Sequence, residues 1–398
     1  MRPTLIPRGR RGRRAARGLV ALLGTISAVT LAAGGAVAAP SRTAAADAAL
    51  DRSLEQLVRT PGGPPGAISV VQRGATLIVH AAGVADLKTG AAPTADDHVR
   101  VASVAKAFSG AAALAVVRDG ALSLGDTIGQ RLPSLPPAWK DVTLAEALNH
   151  TSGLPDFSAS KTFAAAVTAD PFNPPPPSQL LSYVADRPLE FKPGSKYRYS
   201  NSDNIVVGLM IEAATGGRYE DALHSQVFGP LGLSDTSLPR GATIPAPFIH
   251  GYSPEPPGPP QDGSENVFAM GWAWASGGIV STPRELNRFI RAYAASSTAS
   301  KAGLRAQYRF VPGSSDPPGP GTNSAGLALF RYQTRCGTVY GHTGNVTGGY
   351  TQFVAATRDG SRSATVSINT VITTKQDPGR FPVLRKTFEL AVCAALVR

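Results

Sequence analysis

The sequence has few of the residues that usually build metal centres. Its 398 residues include only two cysteines and six histidines, and neither a His-Glu-x-x-His motif nor a Cys/His cluster occurs. We therefore expect no metal ion and no other cofactor. An even number of cysteines in an exported chain favours a disulfide between Cys336 and Cys393, and two buried free thiols are the alternative.

Long apolar segments are missing after residue 38, so we do not expect the rest of the chain to cross a membrane. Before that point, several arginines precede an apolar stretch at residues 19–33, and Ala36-Val37-Ala38 has the small-x-small pattern of a signal-peptidase site. We expect residues 1–38 to be a signal peptide and the mature protein to be secreted or extracytoplasmic. A permanent membrane anchor is the alternative, and paired arginines at 10–11 and 13–14 leave the export route open.

Acidic residues are also scarce: 27 Asp and Glu stand against 39 Lys and Arg, which gives a formal net charge of +12. Seven of the arginines lie in the predicted signal peptide, so most of the excess belongs to that segment. The remaining positive charge is too small and too scattered to indicate nucleic-acid binding, although it suits an anionic cell envelope. We expect a monomer that acts on a peptide or another small molecule.

Strand and helix patterns are segregated along the chain. Two β-branched segments at 67–72 and 76–81 predict a hairpin, and strand patterns return only beyond residue 326. Helical patterns and Pro/Gly-rich loops dominate between them. The order predicts an α+β fold, with one antiparallel sheet built from both chain ends, flanked by helices. The predicted domains are a sheet lobe, residues 39–118 with 326–398, and an inserted, mostly helical lobe, residues 119–325.

The main candidate for chemistry is Ser103-Val104-Ala105-Lys106, at the start of a predicted helix that ends near Gly120. Residues three apart share a helix face, so the Lys106 amine is expected beside the Ser103 hydroxyl, as a base beside a nucleophile. The pattern is common by chance, and a second copy is formed by Ser158 and Lys161. For either copy, the alternative is an ordinary helix start with a solvated lysine.

Two further motifs come later in the chain. Tyr199-Ser200-Asn201 lies on a segment predicted to be irregular, where a phenol can relay protons and an amide can hold a peptide group. His342-Thr343-Gly344 ends a predicted strand, and its glycine lets a substrate backbone lie close. Taken singly, neither motif indicates a function: the alternative for the first is a loop tyrosine with a capping asparagine, and the alternative for the second is an ordinary strand end.

The order Ser-x-x-Lys, Tyr-x-Asn, His-Thr-Gly resembles the penicillin-recognising serine hydrolases, the serine β-lactamase-like superfamily. The flanking segments 149–156, 199–204 and 341–351 resemble that superfamily as well. Within it, the chain is similar to the soluble secreted D-alanyl-D-alanine carboxypeptidases, which share the His-Thr-Gly motif and paired cysteines. The resemblance spans about residues 67–393. It implies a β-lactamase/transpeptidase-like fold. It also implies a carboxypeptidase that cleaves cell-wall peptides through an acyl-enzyme, and β-lactams would be expected to acylate the same serine.

The resemblance also implies roles for individual residues. Ser103 would be the acylated nucleophile and Lys106 a neutral or proton-relaying amine, with the identity of the acylation base left open. Tyr199 would carry a proton to the leaving D-alanine, and Asn201 would orient the peptide. His342 replaces the lysine that β-lactamases of this superfamily carry, and this replacement favours a peptidase over a β-lactamase. The His342 side chain is expected to hydrogen-bond toward the Tyr199 side of the cleft.

We expect the substrate to be bound by the strand that carries the His-Thr-Gly motif and by the backbone at Ser103. The backbone N–H groups of Ser103 and Asn345 would form the oxyanion hole, with Thr343 and Gly344 binding the substrate backbone. Trp272 is a candidate wall of the pocket, as is the neighbouring Trp274, and core positions are the alternative for both.

Binding of a terminal carboxylate is the open point. The related carboxypeptidases place an arginine on the strand before the third motif, whereas our alignment puts Phe330 there and makes the adjacent Arg331 the candidate. Esterase, β-lactamase or D-aminopeptidase activity of the same site therefore remains an alternative. A catalytically silent envelope-binding protein is a third.

Overall fold

The computed structural model describes residues 41–253, 260–295 and 299–398. The signal peptide predicted at residues 1–38 lies outside the described residues. Within the described part of the chain, no helix is long and apolar enough to cross a membrane.

The described residues form helices and strands with the following bounds. The helices are α1 (Arg42–Arg59), α2 (Ala105–Arg118), α3 (Ile128–Arg131), α4 (Leu144–Leu148), α5 (Lys161–Ala169), α6 (Asn201–Thr215), α7 (Tyr219–Leu223), α8 (Gly229–Leu231), α9 (Pro283–Ala294), α10 (Lys301–Gln307) and α11 (Phe381–Leu396). The strands are β1 (Gly66–Arg73), β2 (Thr76–Gly83), β3 (Val99–Arg100), β4 (Tyr252–Ser253), β5 (Gln261–Asp262), β6 (Val280–Ser281), β7 (Thr322–Ala325), β8 (Phe330–Thr334), β9 (Gly337–Val346), β10 (Tyr350–Ala356) and β11 (Arg362–Ile368).

Seven of the strands form one sheet in the order β2-β1-β11-β10-β9-β8-β7. Every neighbouring pair is antiparallel. The N-terminal hairpin β1–β2 therefore joins the C-terminal strands through β1 and β11. The α+β fold and the sheet built from both chain ends, as predicted from the sequence, are confirmed.

Helices cover both faces of this sheet. On one face α1 and α11 pack together and against β1 and β11, burying Leu50, Leu54 and Phe388. On the other face α9 packs against β1, β10 and β11. Because both faces are covered, β1 and β10 are buried along almost their whole length, which explains apolar runs in place of strict alternation.

A disulfide joins Cys336, in the turn between β8 and β9, to Cys393 in α11. Their Cα atoms lie 5.2 Å apart, within the usual range for a bridge. The predicted pairing is confirmed, and the bridge ties the β8–β9 hairpin to the helix that covers it.

The helical region meets the sheet at the start of α2. The short 3₁₀ turn Ala102–Val104 contacts β9 and β10, and α2 packs against α6 and the 3₁₀ turn Trp274–Ser276. All α2 residues from Ala105 to Val116 are buried. The N-terminal end of α2 is therefore fixed between the sheet and the helices.

Two boundaries differ from the sequence prediction. Both α9 and β7 lie before residue 326, yet α9 packs on the sheet and β7 pairs with β8. The chain thus returns to the sheet earlier than the predicted lobe boundary, and the division into two lobes itself stays a prediction. Helix α6 begins at Asn201, so that residue lies in its first turn and not on an irregular segment.

Candidate active site

Ser103 and Lys106 lie together at the start of α2. Ser103 is the middle residue of the 3₁₀ turn Ala102–Val104, and Lys106 is in the first turn of the α-helix that follows. The Lys106 Nζ atom donates to the Ser103 Oγ atom over 3.1 Å. The structure therefore brings together the nucleophile and base that the spacing predicts.

The Lys106 amine is completely buried. It also donates to the Asn201 Oδ1 atom and to the Ser276 carbonyl oxygen, at 2.7 Å each. Burial lowers the pKa of Lys106 from 10.5 to about 7, although nearby Asp156 and Asp203 oppose the change. At neutral pH a substantial fraction of the amine is therefore uncharged and able to accept a proton.

Tyr199 lies over this amine, immediately before α6. The Lys106 Nζ atom is 4.9 Å from the centre of the Tyr199 ring. Burial raises the pKa of the Tyr199 phenol far above its ordinary value, and the nearby Ser103 hydroxyl only partly opposes this. The phenol therefore stays protonated at neutral pH, so it has a proton to give and cannot act as the base that accepts one.

Asn201 links the lysine to the rim of the cleft. Its Oδ1 atom accepts from Lys106, and its Nδ2 atom donates to the Ser158 Oγ atom at 2.8 Å and the Asp156 Oδ2 atom at 3.3 Å. Ser158 belongs to the second Ser-x-x-Lys copy, whose lysine, Lys161, is exposed. That copy contributes a hydroxyl to the cleft, and spacing alone gives no signal of it.

His342 is buried on β9, beside the phenol. Its ring lies 5.1 Å from the Phe330 ring and 6.4 Å from the Tyr199 ring, and its Nδ1 atom bonds to the Thr343 carbonyl oxygen. Burial, together with the charge of Lys106, lowers the pKa of His342 to about 3. The imidazole is therefore neutral. The expected hydrogen bond toward Tyr199 is not made, because the Nε2 atom has no partner among the described residues.

Gly344 is required by close contact with the nucleophile. A Cβ atom at this position would lie 2.7 Å from the Val101 carbonyl oxygen and 2.9 Å from the Ser103 backbone nitrogen. Only glycine lets β9 lie directly against the Ser103 backbone. Thr343, Gly344 and Asn345 all line the cleft beside Ser103, and the oxyanion role of the Ser103 and Asn345 N–H groups remains a prediction.

These residues open into a cleft of about 760 Å³. One wall is aromatic, with the Phe163 ring 4.9 Å from the Phe157 ring and 5.7 Å from the Trp272 ring. The indole nitrogen of Trp272 donates to the Pro171 carbonyl oxygen at 3.1 Å, which fixes the ring. Trp272 thus lines the cleft, and its contact with substrate stays a prediction, whereas Trp274 is a core residue that bonds to Glu220. The aromatic residues from positions 157 and 163 were missed, because nothing in their spacing marks them.

The predicted role of Arg331 in this cleft needs correction. Its guanidinium carbon lies 4.6 Å from the centre of the Phe310 ring, and its side chain bonds to Ser324. The Phe330 ring packs against His342, whereas the neighbouring Arg331 side chain points away from Phe330, toward Phe310, and does not line the cleft. Among the described residues that line the cleft, none is a lysine, arginine, histidine, aspartate or glutamate.

Among residues 41–253, 260–295 and 299–398, no three His, Cys, Asp or Glu side chains are grouped so that they could hold a metal ion. The arrangement described above is suited to acyl transfer: a hydroxyl nucleophile, a buried amine of lowered pKa, and a protonated phenol.

Comparisons with known proteins agree with this chemistry. The family model described as beta-lactamase matches residues 50–388. Among curated proteins, a D-aminopeptidase from Brucella anthropi is 32% identical over 199 residues, which cover 48% of this chain and 37% of that protein. The chain spans less than two thirds of the length of the first curated relatives that it matches.

Solved structures extend the similarity over most of the chain. A D-stereospecific amidohydrolase from Streptomyces sp. superposes with a TM-score of 0.73 at 26% identity, covering 86% of this chain and 98% of that one. A D-amino acid amidase from Ochrobactrum anthropi SV3, complexed with D-phenylalanine, gives 0.74 at 24% identity, with 87% and 98% covered. The latter similarity supports the fold alone.

Proposed function

Since this chain belongs to the beta-lactamase family of serine hydrolases, we propose that it hydrolyses amides or peptides of D-amino acids through an acyl-enzyme on Ser103. The observation that carries the proposal is the Lys106 amine, 3.1 Å from the Ser103 hydroxyl, at the base of a cleft whose described lining bears no charge. The similarity to a D-aminopeptidase and a D-stereospecific amidohydrolase supports the choice of substrate.

The charges around the cleft favour a substrate with a free amino group, such as an amino acid amide or a peptide N-terminus, over a peptide that ends in a free carboxylate. A terminal carboxylate needs a cation or several donors, and Arg331 lies elsewhere. The carboxylate of Asp156 is bonded to Asn201 and Ser158, which both line the cleft. Negative charge beside the cleft favours a substrate with a free ammonium group. The D-aminopeptidase alternative is thus better supported than D-alanyl-D-alanine carboxypeptidase activity.

In the proposed acylation, the Ser103 Oγ atom attacks the substrate carbonyl carbon and its proton passes to the Lys106 amine. The backbone N–H groups of Ser103 and Asn345 would stabilise the oxyanion. As the C–N bond breaks, Tyr199 gives its proton to the leaving amine and recovers one from Lys106. Water then attacks the ester, one of its protons returns through the same groups, and the D-amino acid leaves Ser103 free.

Export is part of the proposal. The predicted signal peptide supports it, and so does the Cys336–Cys393 disulfide, because such bridges persist in oxidising compartments.

The aromatic wall formed by Phe157, Phe163 and Trp272 favours acyl groups with apolar side chains.

The test is a substrate panel run on the protein and on Ser103→Ala. We expect turnover of D-phenylalanine amide, slower turnover of its N-acetyl derivative, and little or none of the L-enantiomer or of a diacetylated peptide ending in D-Ala-D-Ala. Preferential release of D-alanine from that peptide would favour the carboxypeptidase and overturn the proposal. Labelling by a fluorescent penicillin, absent in Ser103→Ala, would report acylation by β-lactams.

A further inference from the structure

A buried polar group that the acyl transfer does not use lies next to Tyr199. It consists of His150, Ser152 and Asp203, which are 2%, 1% and 0% exposed. The His150 Nδ1 atom and the Asp203 Oδ2 atom are 2.7 Å apart, and the Ser152 hydroxyl donates to the Asp203 Oδ1 atom. Such a network is costly to bury unless its members hold one another in a fixed arrangement.

His150 contacts Tyr199 directly. The two ring centres are 4.4 Å apart, with 41° between the ring planes. The backbone on the N-terminal side of the tyrosine is held by the same segment, because the Arg198 N–H donates to the His150 carbonyl oxygen at 2.9 Å. Farther upstream, the Gly194 N–H donates to the Thr151 carbonyl oxygen at 2.8 Å. The histidine thus holds Tyr199 through both its ring and its backbone.

The His150 ring is held on its other side by helix α6. Asp203 lies in the first turn of α6, two residues after Asn201, and it fixes the His150 ring. His150 itself has φ +61°, a left-handed backbone conformation that is uncommon for a residue other than glycine and is kept only where the surroundings enforce it. Burial lowers the pKa of His150 to about 3 and raises that of Asp203, so the pair need not carry separated charges beside Lys106.

We propose that His150, fixed by Asp203, is a positioning residue that keeps the Tyr199 phenol directed at the leaving group during acylation. The inference rests on the proposed serine-hydrolase function. It assigns the segment 150–153 a role in the reaction in addition to its place in the fold.

The test compares two esters of the same acyl group, D-phenylalanine methyl ester and D-phenylalanine p-nitrophenyl ester. Methoxide needs a proton to leave, whereas p-nitrophenolate does not. We expect His150→Asn, which tolerates the left-handed conformation but lacks the ring, to lower kcat/KM for the methyl ester about 10–100-fold. For the p-nitrophenyl ester the loss should stay below about threefold, since its leaving group needs no proton.

Double variants separate positioning from a general structural defect. In a Tyr199→Phe background, His150→Asn should cause little further loss on the methyl ester, because the group it positions is already gone. Asp203→Asn, which keeps a hydrogen-bonding partner for His150, should retain most activity, while Asp203→Leu should behave as His150→Asn does. His250→Asn is the matched control, since His250 is also bonded to an aspartate, Asp262, but is absent from the cleft lining.

Equal losses on the two esters, or the same loss with and without the Tyr199 hydroxyl, would overturn the proposal. Circular dichroism checks that each variant folds, and His150→Gln, which also keeps a donor for Asp203, replaces His150→Asn if the latter does not. Because both substrates are esters, the comparison is independent of whether D-amino acid amides are hydrolysed. Failure of the proposed function would appear separately, as no amide turnover or no preference for the D-enantiomer.

Discussion

Lys106 is the residue whose physical state decides whether Ser103 can react. An exposed lysine is protonated at neutral pH and cannot accept the hydroxyl proton. Complete burial lowers its pKa to about 7, and three hydrogen bonds direct the amine at Ser103, Asn201 and Ser276. The sequence predicts the Ser103–Lys106 pair from its spacing, but not this burial, because the covering residues come from α6 and from the turn before β6.

The pH dependence of acylation follows from that pKa. Lys106 loses its proton as the pH rises through about 7, so kcat for D-phenylalanine p-nitroanilide, measured at saturating substrate, should rise from pH 5 and level off above pH 8. His150 and His342, whose pKa values are lowered to about 3, do not titrate in this range. Initial rates between pH 5 and pH 9 give the profile, and a flat profile would contradict this assignment of the base.

Replacement of the Lys106 amine should slow acylation strongly. Lys106→Met keeps the length of the side chain but removes the base, and we expect kcat/KM to fall about 10²–10⁴-fold. Lys161→Met is the matched control, because this lysine completes the second Ser-x-x-Lys copy but is exposed. It should leave the rate unchanged. Comparable losses in the two variants would show that Lys106 has no special role.

At the scale of elements, strand β9 and the start of α2 form the site by direct backbone contact. The sequence predicts both elements, and the order of the three motifs predicts that they meet. The lengths were less well predicted: β9 runs on to Val346, through the His-Thr-Gly motif, because pairing with β10 continues from Tyr340 to Val346. Strand β10 follows after the short turn at residues 347–349, and the residue pattern of the His-Thr-Gly segment alone does not reveal how far this pairing extends.

Gly344→Ala tests this contact. The added Cβ atom would meet backbone atoms of Val101 and Ser103, which cannot move aside as a flexible side chain can. We expect β9 or the nucleophile to shift, with a loss of kcat/KM of about 100-fold and a lower thermal midpoint. Gly379→Ala is the matched control, since a Cβ there meets nothing within 4 Å. Wild-type kinetics in Gly344→Ala would show that the strand does not need to lie this close.

For the whole molecule, the sheet that joins the two chain ends and the disulfide that secures it follow from the sequence. The even cysteine count and the predicted export of the chain led to the prediction of this bridge. Three features could not be predicted from the sequence: the early return of the chain to the sheet through α9, the aromatic wall of the cleft, and the position of Arg331. Each depends on which face of a distant element a side chain meets, and for Arg331 a shift of one residue along β8 decides the face.

The disulfide should stabilise the fold without serving the chemistry. It closes a loop with a sequence separation of 57 residues, for which the chain-entropy relation gives about 4 kcal/mol. A Cys336→Ser, Cys393→Ala variant should lose about this much unfolding free energy in a urea titration, with little change in kcat. A reductant should lower the urea midpoint of the wild-type protein but not that of the variant. An unresponsive wild-type protein would contradict the stabilising role.

The central claim is that Ser103 forms a covalent acyl-enzyme with a D-amino acid. The most direct measurement is mass spectrometry of protein mixed with D-phenylalanine p-nitrophenyl ester and quenched in acid within milliseconds, followed by peptide mapping. We predict a phenylalanyl mass increment on the peptide that contains Ser103, strong with the D-ester, weak with the L-ester and absent in Ser103→Ala. No adduct during turnover, or an adduct on another residue that persists in Ser103→Ala, would contradict the account.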